Sequence, residues 1–247
     1  MALNAQLALE RVLAEESDEW QLWRALKLAG ENPGDLPALP GQDATGGFAG
    51  SSGRLSPGVT GVTLCHLVVL SLHESPPAVI AGDWIVDART PAEAWLDAPD
   101  DVPGWLDNPA GARVWATASA TAALLAIERD PGHRAIDLLR GESDMQGRFT
   151  GGAFPTFAAA AAYWLAEGPK TEMAEWALRW AREHNDALDP FERATALTFW
   201  GAAEIPAEHQ SVELFLDALT RPGPTEGWPE DVELTLRTLE LVQRFEA

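Results

Sequence analysis

Three carboxylates stand within five residues at Asp97-Ala98-Pro99-Asp100-Asp101, with Trp95 before them and Trp105 after. A carboxylic acid held among tryptophans loses solvation, so it keeps its proton toward neutral pH and can donate it to an apolar substrate. Asp101 is the first candidate for such a donor, with Asp100 its partner and Asp97 the third acid of the group. The plainer reading is that acids in loops and first helical turns are solvated or serve the helix dipole. Arg54, Arg113, Arg148 and Arg193 fall in or just before expected helix starts. With the helix N-termini they would hold a diphosphate or carboxylate headgroup by bidentate hydrogen bonds, unless each pairs with a neighbouring acid. Trp105, Trp115, Phe154, Phe157, Tyr163, Trp164 and Trp200 would then line a cavity for the apolar remainder. Aromatic faces also steady a passing carbocation, although bulky rings between helices serve packing as well.

Positioning these groups falls to helices. Leu3, Leu7, Val12, Leu13, Trp20, Trp23 and Leu26 recur at helical spacing, which predicts one or two amphipathic helices over Leu3 to Leu28, with Asp18 a cap for the second. A Pro/Gly-rich stretch from Glu31 to Gly58 ends in Ser56-Pro57, a helix-start signal for Val59 to His73. Ala-rich runs predict further helices at Ala112 to Ile127, Ala153 to Ala166 and Thr171 to His184. Others are read at Pro77 to Val86, His133 to Arg140, Phe191 to Ala203, Val212 to Leu219 and Pro229 to Phe245. The fold class is all-α, in a single domain over 1–247.

Charge and composition narrow the function. The 247 residues carry 38 acidic against 17 basic side chains, a formal charge of -21 that repels nucleic-acid phosphate and anionic lipid surfaces. A single cysteine, Cys65, excludes an internal disulfide and a multi-thiolate zinc site. Cys65 and His66 are adjacent, a poor arrangement for two ligands on one metal, so neither a metal nor a cofactor is assigned. Without a leader pattern or a long apolar run, the chain reads as cytoplasmic. The five histidines are scattered and none is given a catalytic role.

A Gly and an aromatic recur just before helices, at Gly46-Gly47-Phe48, Gly104-Trp105, Gly147-Arg148-Phe149 and Gly227-Trp228. With one degenerate unit near Asp189, the period is about 45 residues, the length of a helical pair. Ala/Thr-rich helices such as Trp115 to Ala123 would lie inside, and helices with one bulky face, such as Trp176 to Trp180, outside. Five or six pairs close into an α/α toroid, an open solenoid being the rival arrangement.

Gly46 to Thr63, Trp105 to Leu125, Gln146 to Trp164 and Gly227-Trp228-Pro229 with Leu234-Thr235-Leu236 resemble the prenyltransferase and squalene oxidase repeats of the terpenoid cyclase and protein prenyltransferase toroids. The resemblance implies a closed helical toroid with a hydrophobic centre over roughly 31–247. It also implies metal-independent, acid-initiated cyclisation or isomerisation of an isoprenoid or polyene. Two departures stand out. The class II cyclase motif Asp-x-Asp-Asp is matched only by Asp97-Ala98-Pro99-Asp100-Asp101, one residue too long. Arg54-Leu55-Ser56-Pro57-Gly58 stands where the prenyltransferases carry the Asp and Cys of their zinc site. The other readings are a noncatalytic toroid holding a lipid or a protein partner, and a carbohydrate-active α/α barrel with Trp platforms and paired acids.

Overall fold

The computed structural model describes residues 3–15, 18–102, 109–221, 228 and 231–246. The described chain is all-helical, with three isolated antiparallel bridges in its turns. The N-terminal stretch divides into α1 (Ala5–Glu15) and α2 (Glu19–Leu28), because Asp18 turns its carboxylate onto the N–H groups of Trp20 and Gln21 and starts a second helix. Then come α3 (Pro57–Val69), α4 (Pro76–Asp87), α5 (Pro109–Ala126), α6 (His133–Arg140), α7 (Ala153–Glu167), α8 (Glu172–Glu183), α9 (Pro190–Ala202), α10 (Gln210–Thr220) and α11 (Val232–Glu246).

Proline at the first position begins α3, α4 and α9, where its missing N–H costs nothing. Ser56 caps α3, and Asp189 and Glu192 form a reciprocal capping box on α9. The β-branched run in α3 is helical because the capped start and its burial against α5 outweigh a weak local strand preference. It stops at Val69, so His73 lies in the turn beyond it.

Four helices pack in a circuit: α3 on α5, α5 on α7, α7 on α9, and α9 back on α3. Most alanines of α5, α7 and α9 are buried, which lets these backbones approach on several sides. Outside them, α4 rests on α3 and α5, α6 on α5 and α7, α8 on α7, and α10 on α8 and α9. The last helix, α11, packs on α9 and on α2, and touches α3 only lightly.

The recurring turns share one hydrogen-bonding device. The N–H of the turn aromatic donates to a threonine hydroxyl at the start of the following helix, Phe48 to Thr60 at 2.9 Å, Phe149 to Thr156 at 2.9 Å and Trp228 to Thr235 at 2.9 Å. The Trp95 N–H also donates to a threonine hydroxyl, Thr117 in the middle of α5, at 3.2 Å. Thr60 and Thr156 in turn donate to the carbonyl four residues back, at 2.7 Å in each case. The turn glycines have a further reason to be glycine. Gly46 and Gly147 have φ of +104° and +89°, and a Cβ on either would lie 2.4 Å from the backbone carbonyl of Ile80 or Trp176 on an outer helix. Only glycine combines that conformation with that approach.

Candidate functional site

The N-terminal ends of α3, α7 and α9 meet around an open hollow of about 430 Å³. Val59, Val102, Phe154 and Phe191 supply its apolar surface, and Asp101, Asp189 and Glu192 its acidic rim. Phe191 is a large apolar side chain left 44% exposed, so the hollow presents an aromatic face to solvent.

The three predicted acids lie at this mouth in different states. Asp101 is buried, and its two oxygens accept from the Ser52 N–H at 2.8 Å and the Ser52 hydroxyl at 2.9 Å. A Cβ on Gly50 would lie 2.2 Å from Asp101 Oδ1, so that glycine gives the carboxylate room against the loop. Asp101 thus fastens the 49–56 loop to the 3₁₀ turn Pro99–Asp101. Asp100 is exposed, and its carbonyl accepts from the Ser51 hydroxyl.

Asp97 lies beneath the loop. Its Oδ2 accepts from the Gly58 N–H at 2.9 Å, while Oδ1 is buried without a hydrogen-bond partner among the described residues. Burial pushes this carboxyl up to about 7; Ser56 and the Gly58 N–H oppose the shift and nearby Asp101 adds to it. A Cβ on Gly58 would meet Trp115 Nε1 at 2.0 Å and Asp97 Oδ2 at 2.5 Å, so this glycine admits both side chains to one spot. The indole N–H of Trp115 is likewise buried without a partner.

The aromatic residues divide. Trp115, Phe154, Phe157 and Trp200 form a chain of edge contacts from α5 through α7 to α9, with ring centroids 6.0 to 6.2 Å apart. Trp115 also meets Phe199 of α9 at 6.0 Å. These rings fill the space where the inner helices converge, and Phe154 alone of the four borders the hollow. Tyr163 and Trp164 turn outward instead: the phenol donates to the Ile136 carbonyl at 3.0 Å, and Trp164 packs on His209. Trp105 lies outside the described residues.

The arginines do not gather on one rim. Arg113 pairs with Glu142, and Arg193 donates to Asn185 Oδ1 at 2.9 Å and to its carbonyl at 2.6 Å. Arg148 borders a separate hollow with Glu142 and Asp144, and Arg54 is exposed in the 49–56 loop. Arg113 and Arg193 are thus drawn to local acceptors, while Arg54 and Arg148 stand exposed.

The most concentrated electrostatics lie elsewhere, in residues given no role on sequence grounds. Arg24 of α2, fully buried, donates to both oxygens of Glu240 at 2.6 and 2.8 Å and also pairs with Glu233. His66 Nε2 lies 2.7 Å from Glu240 Oε2, and Arg237 reaches Glu233 at 2.8 Å. Glu233, Arg237 and Glu240 follow one another at i, i+4 and i+7, a spacing that ordinarily marks a solvated helix face. Burial holds His66 below its ordinary value despite Glu240, whereas Arg24 and His66 hold Glu240 well below the carboxylate range against its own burial. The pair is therefore a neutral imidazole donating to a carboxylate. Cys65 beside it is buried, which pushes its thiol up and away from the thiolate a metal would need. Among the described residues no group of three or more His, Cys, Asp or Glu is placed to hold a metal, and no helix is long and apolar enough to cross a membrane. No protein-family model matches the chain, and comparison with curated proteins finds no match.

Proposed function

We propose that this chain is a noncatalytic α/α-toroid-like binding module whose mouth seats the apolar body of a cationic, lipid-like amphiphile. The observation that carries this reading is the hollow itself, with Phe154 and Phe191 on its wall and Asp101, Asp189 and Glu192 on its rim. An ammonium group beside carboxylates and over an aromatic face gains from both, and the chain's charge of -21 draws such ligands in. The packed rings of Trp115, Phe157 and Trp200 make the centre of the helix circuit a core rather than a chamber, which moves the binding place to the mouth.

A second reading is favoured by Asp97. A carboxyl that burial pushes up to about 7, with one oxygen buried and unpartnered among the described residues, suits acid-initiated isomerisation or cyclisation of a polyene, with Asp97 in the donor role first given to Asp101. One experiment separates the two. Calorimetric titration with octylammonium should give saturable binding that Phe191→Ala weakens about five-fold, in line with a cation over an aromatic face. Absence of binding, or binding indifferent to Phe191→Ala, overturns the first reading. A cyclised or isomerised product from a polyprenyl substrate, lost in Asp97→Asn, would establish the second.

A further inference from the structure

The gap between α3 and α11 contains a second hollow, of about 310 Å³, roofed by α2. Trp20 and Gln21 of α2, Thr63, His66 and Leu67 of α3, and Glu233 and Arg237 of α11 border it, with Leu39, Pro40 and Phe48 closing the remaining side. It is separate from the mouth, although Arg237 lies between them, its guanidinium 6.0 Å over the ring of Phe191.

The charges around this hollow are already matched. Arg24 is held by Glu240 and Glu233, Arg237 by Glu233, and Asp18 is committed to the first turn of α2. A charged ligand entering would add an uncompensated charge to a largely desolvated cluster, which is costly. What remains unused is neutral. The Thr63 hydroxyl makes no hydrogen bond among the described residues, unlike Thr60 one turn earlier, which donates to Ser56. The Gln21 side-chain amide is likewise unbonded, and its backbone N–H is taken by Asp18. His66, bonded through Nε2 to Glu240, makes no hydrogen bond at its other ring nitrogen among the described residues. Leu39, Pro40, Phe48 and Leu67 offer apolar surface beside these groups.

We infer that the α2/α3/α11 hollow is a binding site for an uncharged molecule made of an apolar body and one hydroxyl group, the hydroxyl bonding to Thr63, Gln21 and His66. A hydroxyl both donates and accepts, which is what a threonine, an amide and a neutral imidazole can satisfy together. The site does not depend on the reading of the mouth.

The test uses the full chain and three probes of one chain length: octan-1-ol, octanoate and octylammonium. Octan-1-ol should bind saturably, and Thr63→Val and Gln21→Leu should each weaken it about five-fold, the scale of one hydrogen bond. Octanoate should bind at least ten-fold more weakly than the alcohol. Octylammonium, if it binds, should respond to Phe191→Ala and ignore Thr63→Val, so failure at one site is distinguishable from failure at the other. Both altered α2/α3 side chains are only partly buried, and circular dichroism checks that the variants fold. Equal binding of octanoate, no binding of the alcohol, or alcohol binding untouched by both Thr63→Val and Gln21→Leu overturns the inference.

Discussion

Asp97 differs from Asp101 because of what surrounds each carboxylate. Ser52 gives both oxygens of Asp101 a donor, while at Asp97 Oδ2 takes the Gly58 N–H and Oδ1 is buried with no hydrogen-bond partner among the described residues. Its folded value near 7 lies above the ordinary carboxylate value it has in the unfolded chain. The stabilising contribution is therefore complete below pH about 4 and is lost as pH rises through about 7, because the folded state must then hold a desolvated anion. Asp97→Asn removes that dependence. Urea denaturation at pH 4 to 8 should show the variant gaining on the natural protein as pH rises; a constant difference would refute the assignment. His66 works in the opposite sense, its stabilisation fading as pH falls below about 6.5, so the comparison between variants is needed to isolate Asp97. The cluster 97–101 was legible as acids placed before an inner helix. Which acid keeps a proton was not, since that depends on Gly58 and Trp115, 39 and 18 residues away, closing over Asp97.

At the scale of elements, local signals carried far. Ser-Pro, the Ala-rich runs and the Gly-aromatic turns located the helices to within a few residues, because capping and turn chemistry act between near neighbours. The reason for the Gly-aromatic spacing was less visible. The aromatic N–H needs the threonine at the helix start, and the glycine needs a positive φ under an outer helix carbonyl. Gly46 and Gly53 separate these effects. Both have positive φ, but a Cβ on Gly53 meets nothing within 4 Å whereas one on Gly46 lies 2.4 Å from Ile80 O. Replacement by alanine should cost about 1 kcal/mol at Gly53 from backbone strain alone. At Gly46 the forced shift of α4 should add about 2 kcal/mol. Denaturant midpoints of the two variants check this, and equal losses would mean that the outer helix yields freely.

Across the whole molecule, the arrangement is held by a contact between the two ends of the chain. The α1–α2 hairpin has a small apolar seam of its own with α11, built on Val12, Ala25 and Leu236. Arg24 adds the polar part, tying α2 to Glu240 and Glu233 across more than 200 residues, while Lys27 donates to the Leu70 carbonyl at the end of α3 at 2.5 Å. Sequence patterning could not disclose this, because Glu233, Arg237 and Glu240 look like a solvated stripe until α2 covers them. It also explains why the helix circuit has a packed aromatic centre and a polar gap at α3 and α11: the rings are buried by adjacent helices, whereas the charges need the N-terminal hairpin as a roof. Removing one member of a buried ion cluster strands the others, at a cost of about 3 to 5 kcal/mol, whereas removing both partners together relieves much of it. Arg24→Met should therefore be strongly destabilising and should speed amide exchange in α1 and α2 before the inner helices. Adding Glu240→Met to it should recover part of the loss. Arg221→Met, which breaks an exposed pair with Asp217, supplies the reference and should change stability by less than about 1 kcal/mol. Should Arg24→Met cost no more than Arg221→Met, or should the double variant be weaker than the sum of its parts, the hairpin would be held by its apolar seam alone and the buried charges would have no part in closing the molecule.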